Sequence, residues 1–456
     1  MRKSLSLLLL ILALPCAVCA QQSLEEIRAD VTLCGSCYVS YRAPEARTFT
    51  APPEGYVPVY ISHYARHGAR FLLEPHQYAA PWRSLHRADS LHILTPEGQR
   101  VMKVLDVMME KSSGRLGELT DIGAEQHRGI GARMAACWPE IFQPGAIVEA
   151  RSTPSVRCVL SMQNELLSLV QAFPSLSVRT DASDADLYYL NCQGSPQRRN
   201  VISQAQRDAG NKILTRYDAA HAAHLKAIDD HIAATLFSSP AKARKHIDIT
   251  ALRDQLFIVA NNMQSHSFAT RGGHAASRPQ IEPAYDLHFL FTPNDAAHLL
   301  WLRDNWKWYV NHGHCPASGG QSPFSQTNLL RSYIIAADSC LAILQQGRTP
   351  RPAATLRFGH DVCLLPLICL MELNEFGYRT TDPDDLAAHW RNYEIFTMAS
   401  NVQLVFFRSK KAGAPILVKP LLNEREVTVA HLPQVAPGYY KWDDVRAFWL
   451  TKLTGK

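Results

Sequence analysis

The chain has 456 residues, 46% of them hydrophobic and 19% charged, the composition of an ordinary globular protein long enough to bury a large core. Its 47 basic and 41 acidic residues give a formal charge of +6, too mild a surplus for nucleic-acid binding, and no Lys/Arg stripe interleaved with aromatics is present. No solenoid period, collagen-like tract or heptad run occurs either.

Residues 1–20 read as a signal peptide. Arg2 and Lys3 precede an apolar run from Leu5 to Leu14, and Val18 and Ala20 suit a signal-peptidase site. The run is too short to span a bilayer, Pro15 and Val18 disfavour lipid attachment at Cys16 or Cys19, and no later stretch suits a span. The mature protein is therefore expected in the periplasm or secreted. Removing Arg2 and Lys3 leaves 45 basic residues against 41 acidic ones. Of 11 cysteines, loss of Cys16 and Cys19 leaves nine, so disulfides are permitted but at least one thiol stays unpaired in a monomer. The spacing of "CGSC" at 34–37 is that of a redox motif, but without a following amphipathic helix it points to a structural role.

After a proline-bearing lead, residues 57–62 form the first predicted buried strand. Helices are predicted over 94–111 and 119–138, each opened by a threonine able to cap it. A strand at 146–152, a helix at 154–173 and a short strand at 176–181 follow. From about 195 to 300 the pattern is helical with little strand signal. A long helix at 327–347, a strand–turn–helix at 353–373 and a strand pair at 401–409 and 414–427 complete the chain. Alternating strands and helices predict an α/β fold, a mostly parallel sheet with helices on both faces plus an inserted, mainly helical lobe. The expected organisation is a signal peptide (1–20), an α/β catalytic domain (21–194 and 301–456) and a helical cap (195–300).

Three strand ends carry the chemistry. Arg66, His67 and Arg70 follow the first strand, with Gly68 permitting close backbone approach. Arg151 follows the second, and His360 and Asp361 follow "TLRF". If these converge, a pocket holds three permanent cations, a nucleophile, a second histidine and one carboxyl, an inventory for phosphoryl transfer without an obvious metal. Arg157 reads as a brace for its loop and His63 as structural. "NHGHC" at 311–315 is too crowded for a tetrahedral metal site. His221 and His224 suit a solvated helix face, "WLRDNWKWYV" suits lobe packing, and Glu424 and Glu426 suit a turn.

"RHGAR" at 66–70, "RSTPSVR" at 151–157 and "HD" at 360–361, in this order, resemble the histidine acid phosphatases, branch 2 of the histidine phosphatase superfamily. "LTDIGAEQHRGIG" resembles a helix start of that family. "FGHDVCLLPL" and "LVKPLLNEREV" resemble its multiple inositol-polyphosphate phosphatase and phytase group. Two departures stand out: Leu72 replaces a usual proline, and His360-Asp361 replaces the His-Ala-Glu frequent in the inositol-polyphosphate group.

The resemblance implies a phosphoglycerate-mutase-like fold and a metal-independent phosphomonoesterase without cofactor. His67 would be the nucleophile and Asp361 the proton donor, with Arg66, Arg70, Arg151 and His360 on the phosphate. Inositol polyphosphates are the expected substrates, a broad acid or sugar phosphatase the alternative. A silent phosphate-binding protein and a mutase-like enzyme are disfavoured by the pair His67 and Asp361 and by the leader and insertion.

Overall fold

A computed structural model describes residues 21–44, 49–191, 201–267, 281–347 and 351–454. Residues 1–20 and Cys192 lie outside that set.

The sheet forms from β1 (Tyr56–Arg66), β2 (Ala146–Ser152), β3 (Ser177–Ala182), β4 (Arg351–Gly359), β5 (Asn401–Ser409) and β6 (Leu417–Leu422), with two short edge pieces, β7 (Arg425–Glu426) and β8 (Tyr440–Lys441). Its order is β3-β2-β4-β1-β5-β6-β7, with β8 also on β6. The first four are mutually parallel; β5 runs antiparallel to β1, and β6 to β5.

Strand alternation divides the core. Tyr60 and Tyr64 of β1 join the apolar cluster built with helices Thr327–Gln345, Asp361–Met371 and Trp442–Leu453. Ile61 and Ala65 point the other way, to the cluster containing Met134, Met162 and Leu169 of helices Asp121–Cys137 and Val156–Ala172. Helices thus cover both faces, as the buried strands require. Both predicted threonine caps form: Thr95 accepts from Gly98 N at 3.0 Å and Thr120 from Gly123 N at 3.2 Å.

Helices Gln204–Ala220, Ala222–Leu236 and Ile249–Asn262 lie in the segment expected to be a lobe, and among the described residues no strand falls between β3 and β4. The expected boundary at 300 falls inside helix Ala296–His312. Two earlier helices, Pro75–Ser90 and Pro96–Ser112, share the lobe's core, where Tyr78, Leu85 and Leu105 meet Ile232, Leu252 and Leu256. Cys34, Cys37, Cys158, Cys315, Cys340 and Cys369 are free thiols. Among the described residues no helix is long and apolar enough to cross a membrane.

Candidate active site

The two motif strands are neighbours. Arg66 pairs with Gly359 across the parallel β1/β4 ladder, so the residues that follow, His67 and His360, leave the sheet side by side. Their rings lie 5.6 Å apart between centroids, edge to face. The site sits beyond the carboxyl ends of β1 and β4, where the sheet turns from parallel to antiparallel at β5.

The loop 66–70 has its backbone groups taken up on all sides. Arg66 N donates to Ser400 O (2.8 Å), His67 N to Gly359 O (3.0 Å), and His67 O accepts from Ala399 N (3.0 Å). Gly68 N donates to Ser161 Oγ (3.1 Å) and Ala69 N to Gln126 Oε1 (2.9 Å), while Ala69 O accepts from Thr120 N (2.9 Å). Glycine at 68 is a matter of space: a Cβ there would fall 2.3 Å from Gly123 O, and one on Gly123 would fall 2.2 Å from Ala69 O. Backbone packs on backbone.

His67 is buried, and its Nδ1 lies 2.9 Å from Gly68 O. A carbonyl only accepts, so Nδ1 carries the proton and Nε2 keeps a free lone pair. Burial, then the charges of Arg66, Arg157, Arg70 and His360, hold its pKa well below the ordinary 6.5, so the ring is neutral near pH 7.

Arg66 is fully buried, donating from Nη1 to Cys37 O (2.7 Å) and Phe396 O (3.0 Å), with Nη2 2.7 Å from Asp361 Oδ2. Arg70 donates from Nη1 to Phe71 O (2.9 Å) and its guanidinium lies over the Tyr38 ring. Arg157 reaches back from the first turn of helix Val156–Ala172 to Gly117 O at 3.4 Å. The Nε atoms of all three arginines are buried without a hydrogen-bond acceptor in the protein. Burial, with Arg70 and Arg66 nearby, lowers the Arg157 pKa against the opposing pull of Cys158 and Asp361. Clustered guanidiniums with unsatisfied donors match the oxygens of a phosphoryl group.

Asp361 opens helix Asp361–Met371 and is buried, its Oδ1 accepting from Val362 N at 2.8 Å. Burial would raise its pKa, but Arg66, Arg70 and His360 overcome that and hold it below the usual carboxylate value. His360 packs its ring 3.3 Å from Thr153 Oγ1, and burial with Arg157 lowers its pKa to about 4.

The structure brings together Arg66, His67, Arg70, His360 and Asp361, and it does not bring Arg151. That side chain is partly exposed on β2 and paired with Asp181 of the neighbouring strand at 2.9 Å. Arg157, read from sequence as a brace, stands instead among the charges acting on His67, His360 and Asp361's partner arginines. The signal that could have found it is its place one turn into a helix that follows a strand end, where a side chain can return over the site.

Other candidates resolve into structure. His314 of "NHGHC" spends both ring nitrogens on the carbonyls of Gly320 (3.0 Å) and Cys369 (3.2 Å). Glu424 binds Arg133 (2.6 Å) and accepts from Tyr41 OH (2.8 Å). The "CGSC" segment forms a 3-10 helix, Val31–Tyr38, that supplies the Cys37 carbonyl to Arg66 and the Tyr38 ring to Arg70. Among the described residues no three His, Cys, Asp or Glu side chains gather as a metal-holding group.

The profile of the histidine phosphatase superfamily (branch 2) matches residues 65–423. The chain belongs to this superfamily. Its fold resembles that of the multiple inositol polyphosphate phosphatase of Bifidobacterium longum in complex with inositol hexasulfate, with a TM-score of 0.71 at 17% identity over 91% of this chain and 97% of that one. The same enzyme's phosphate complex gives 0.68 at 16% identity, covering 92% of this chain and 98% of that one. The phytase from D. castellii gives 0.58 at 12% identity, over 93% of this chain and 86% of that one. As a branch 2 histidine phosphatase, the protein is a phosphomonoester hydrolase.

Proposed function

We propose that this phosphatase acts on inositol polyphosphates such as phytate, through a phosphohistidine at His67, after export directed by residues 1–20. The observation that carries the mechanism is a neutral imidazole with a free Nε2 set among three arginines that hold unsatisfied donors.

His67 Nε2 attacks phosphorus in line and the ester P–O bond breaks. Arg66, Arg70, Arg157 and His360 take the equatorial oxygens, where transition-state charge spreads. Asp361 gives its proton to the leaving alkoxide. Water then attacks the phosphohistidine, Asp361 accepts its proton, and orthophosphate departs with His67 Nε2 free again. In the free enzyme Asp361 is paired with Arg66 at 2.7 Å, which keeps it ionised. A substrate phosphate competes for Arg66 and adds negative charge beside the carboxyl; both raise the pKa of Asp361 and let it hold the proton it must donate. Acidic pH therefore favours the first step.

A polyanionic substrate is supported by the C-terminal resemblance to the inositol-polyphosphate group and by further cations near the cup. Arg115, paired with Glu118 at 3.0 Å, lies 4.9 Å over the ring of Phe71, the residue after Arg70, and Lys111 and Arg115 both bear on His266, which packs 4.7 Å from Phe71. The His360-Asp361 pair favours a second reading, a broad-specificity acid phosphatase. Purified protein assayed on phytate, sugar phosphates and 4-nitrophenyl phosphate, with His67→Ala as control, separates the two. Preference for phytate in kcat/KM is expected; equal turnover across the panel would favour the broad enzyme. Trapping of labelled phosphate on His67 tests the intermediate.

A further inference from the structure

A second group of ionisable side chains lies directly beneath the nucleophile's loop, and the mechanism makes no use of it. His63 on β1, His127 on helix Asp121–Cys137 and Glu165 on helix Val156–Ala172 are all fully buried. Glu165 Oε2 lies 2.9 Å from His127 Nδ1, and its Oε1 lies 3.6 Å from His63 Nε2. His127 Nε2 lies 3.1 Å from the backbone carbonyl of Arg66, the residue just before the nucleophile.

The partners define the chemistry of His127. One ring nitrogen faces a carboxylate and the other a carbonyl, and neither group can donate while the carboxylate is ionised. A ring protonated on both nitrogens beside a carboxylate satisfies both contacts, and so does a neutral ring accepting at Nδ1 from a protonated Glu165; in each state Nε2 donates to the Arg66 carbonyl. In either state the two groups enter the core as partners rather than alone. His63 differs: neither ring nitrogen has a hydrogen-bond partner, and burial, against the attraction of Glu165, lowers its pKa to about 4. The other charges around the group are Arg357 of β4, which bears on His63, and Arg133, which interacts with Glu165 from the helix carrying His127.

Helix Val156–Ala172 reaches the loop from one face. Arg157, Ser161 and Glu165 stand at successive turns. Arg157 supplies a cation beside His67, Ser161 accepts from Gly68 N, and Glu165 acts through His127 on Arg66 O. The helices bearing His127 and Glu165 can approach this closely because a Cβ at Gly131 would fall 2.2 Å from Glu165 O.

We propose that Glu165 and His127 form a buried, hydrogen-bonded positioning pair that holds the Arg66 carbonyl, and with it His67, in register with Arg70 and Arg157. Neither residue touches substrate. The inference rests on His67 being the nucleophile, and it adds the device that fixes where the nucleophile stands.

The test uses the full-length protein with 15N-labelled histidine. The His127 ring, assigned by through-bond correlation, is expected to show a proton on Nε2 in a hydrogen bond to the Arg66 carbonyl, and His63 to be neutral at pH 5. Glu165→Gln, a nearly isosteric change, is expected to lower kcat roughly tenfold or more, because a small displacement of the reacting atom is costly. KM and orthophosphate affinity should stay within about threefold, since the Arg66 guanidinium is held separately by the carbonyls of Cys37 and Phe396. A His127 ring with no proton on Nε2 would overturn the proposal even if the variant failed to fold. So would a folded Glu165→Gln enzyme with wild-type kcat. Wild-type protein inactive on every monoester would instead refute the phosphohistidine reading, and the nitrogen spectrum would still report on the pair.

Discussion

Arg66 and Arg151 both close a strand at the same end of one sheet, and they meet opposite fates. Arg66 ends β1, between β4 and β5 at the centre; it is fully buried and held by two carbonyls and a carboxylate. Arg151 sits on β2, next to the edge strand β3, and its guanidinium pairs in solvent with Asp181. Local sequence is nearly alike at the two places, a cation where a strand runs out. Position in the sheet decides. Only the central strand ends have helices and loops above them to exclude water and hold a cation in place, and an exposed pair such as Arg151–Asp181 contributes about 1 kcal/mol or less.

Four measurements bear on that contrast. His67→Ala, at the central end, should reduce kcat by at least about 10⁴-fold while phosphate binding persists, because the covalent route is gone. Asp361→Asn should lower kcat by about 10²–10⁴-fold on alkyl phosphates, and by far less on 4-nitrophenyl phosphate, whose phenolate leaves without a proton. Arg157→Ala should cost about 10²-fold in kcat/KM, against less than about twofold for Arg151→Ala. The opposite ranking of these two would break the comparison outright.

The smallest effect is on stability. His63, His298 and His360 have pKa values near 4 in the folded protein, below the ordinary 6.5, because burial disfavours their charged forms. The unfolded chain therefore takes up protons that the folded one refuses, and acid favours unfolding. The melting temperature should fall as pH drops from about 6.5 to about 4. A melting temperature flat over this window would mean that these histidines charge in place. Saturating orthophosphate should recover part of the loss, since it binds only the folded form.

Much of this was legible in the sequence where a periodic signal was backed by a local one. β1, β2, β4 and β5 lie where runs of apolar residues end in charged or glycine-bearing turns. The helices after Thr95 and Thr120 begin where a hydroxyl precedes an acid. Helix Pro75–Ser90 was not legible, because Pro81 inside it and a mostly polar face hide its period. Within the site, His67 and Asp361 were readable because each adjoins its strand. The nearness of Arg157 to His67 was not readable, since it depends on a helix folding back over the strand ends, a tertiary fact. Glu165 and His127 gave no signal at all; each looks like an ordinary helix residue until the other helix is laid against it.

The contact between Gly68 and Gly123 has a consequence for how such an enzyme can change. With 2.3 Å and 2.2 Å between a would-be Cβ and facing backbone oxygens, both positions refuse every side chain, so the backbone packing under the His67 loop is closed to variation. Adaptation to a bulkier or less anionic ester is left to side chains beyond this backbone contact. Selection or laboratory evolution can redraw the entrance while leaving the chemistry where it stands.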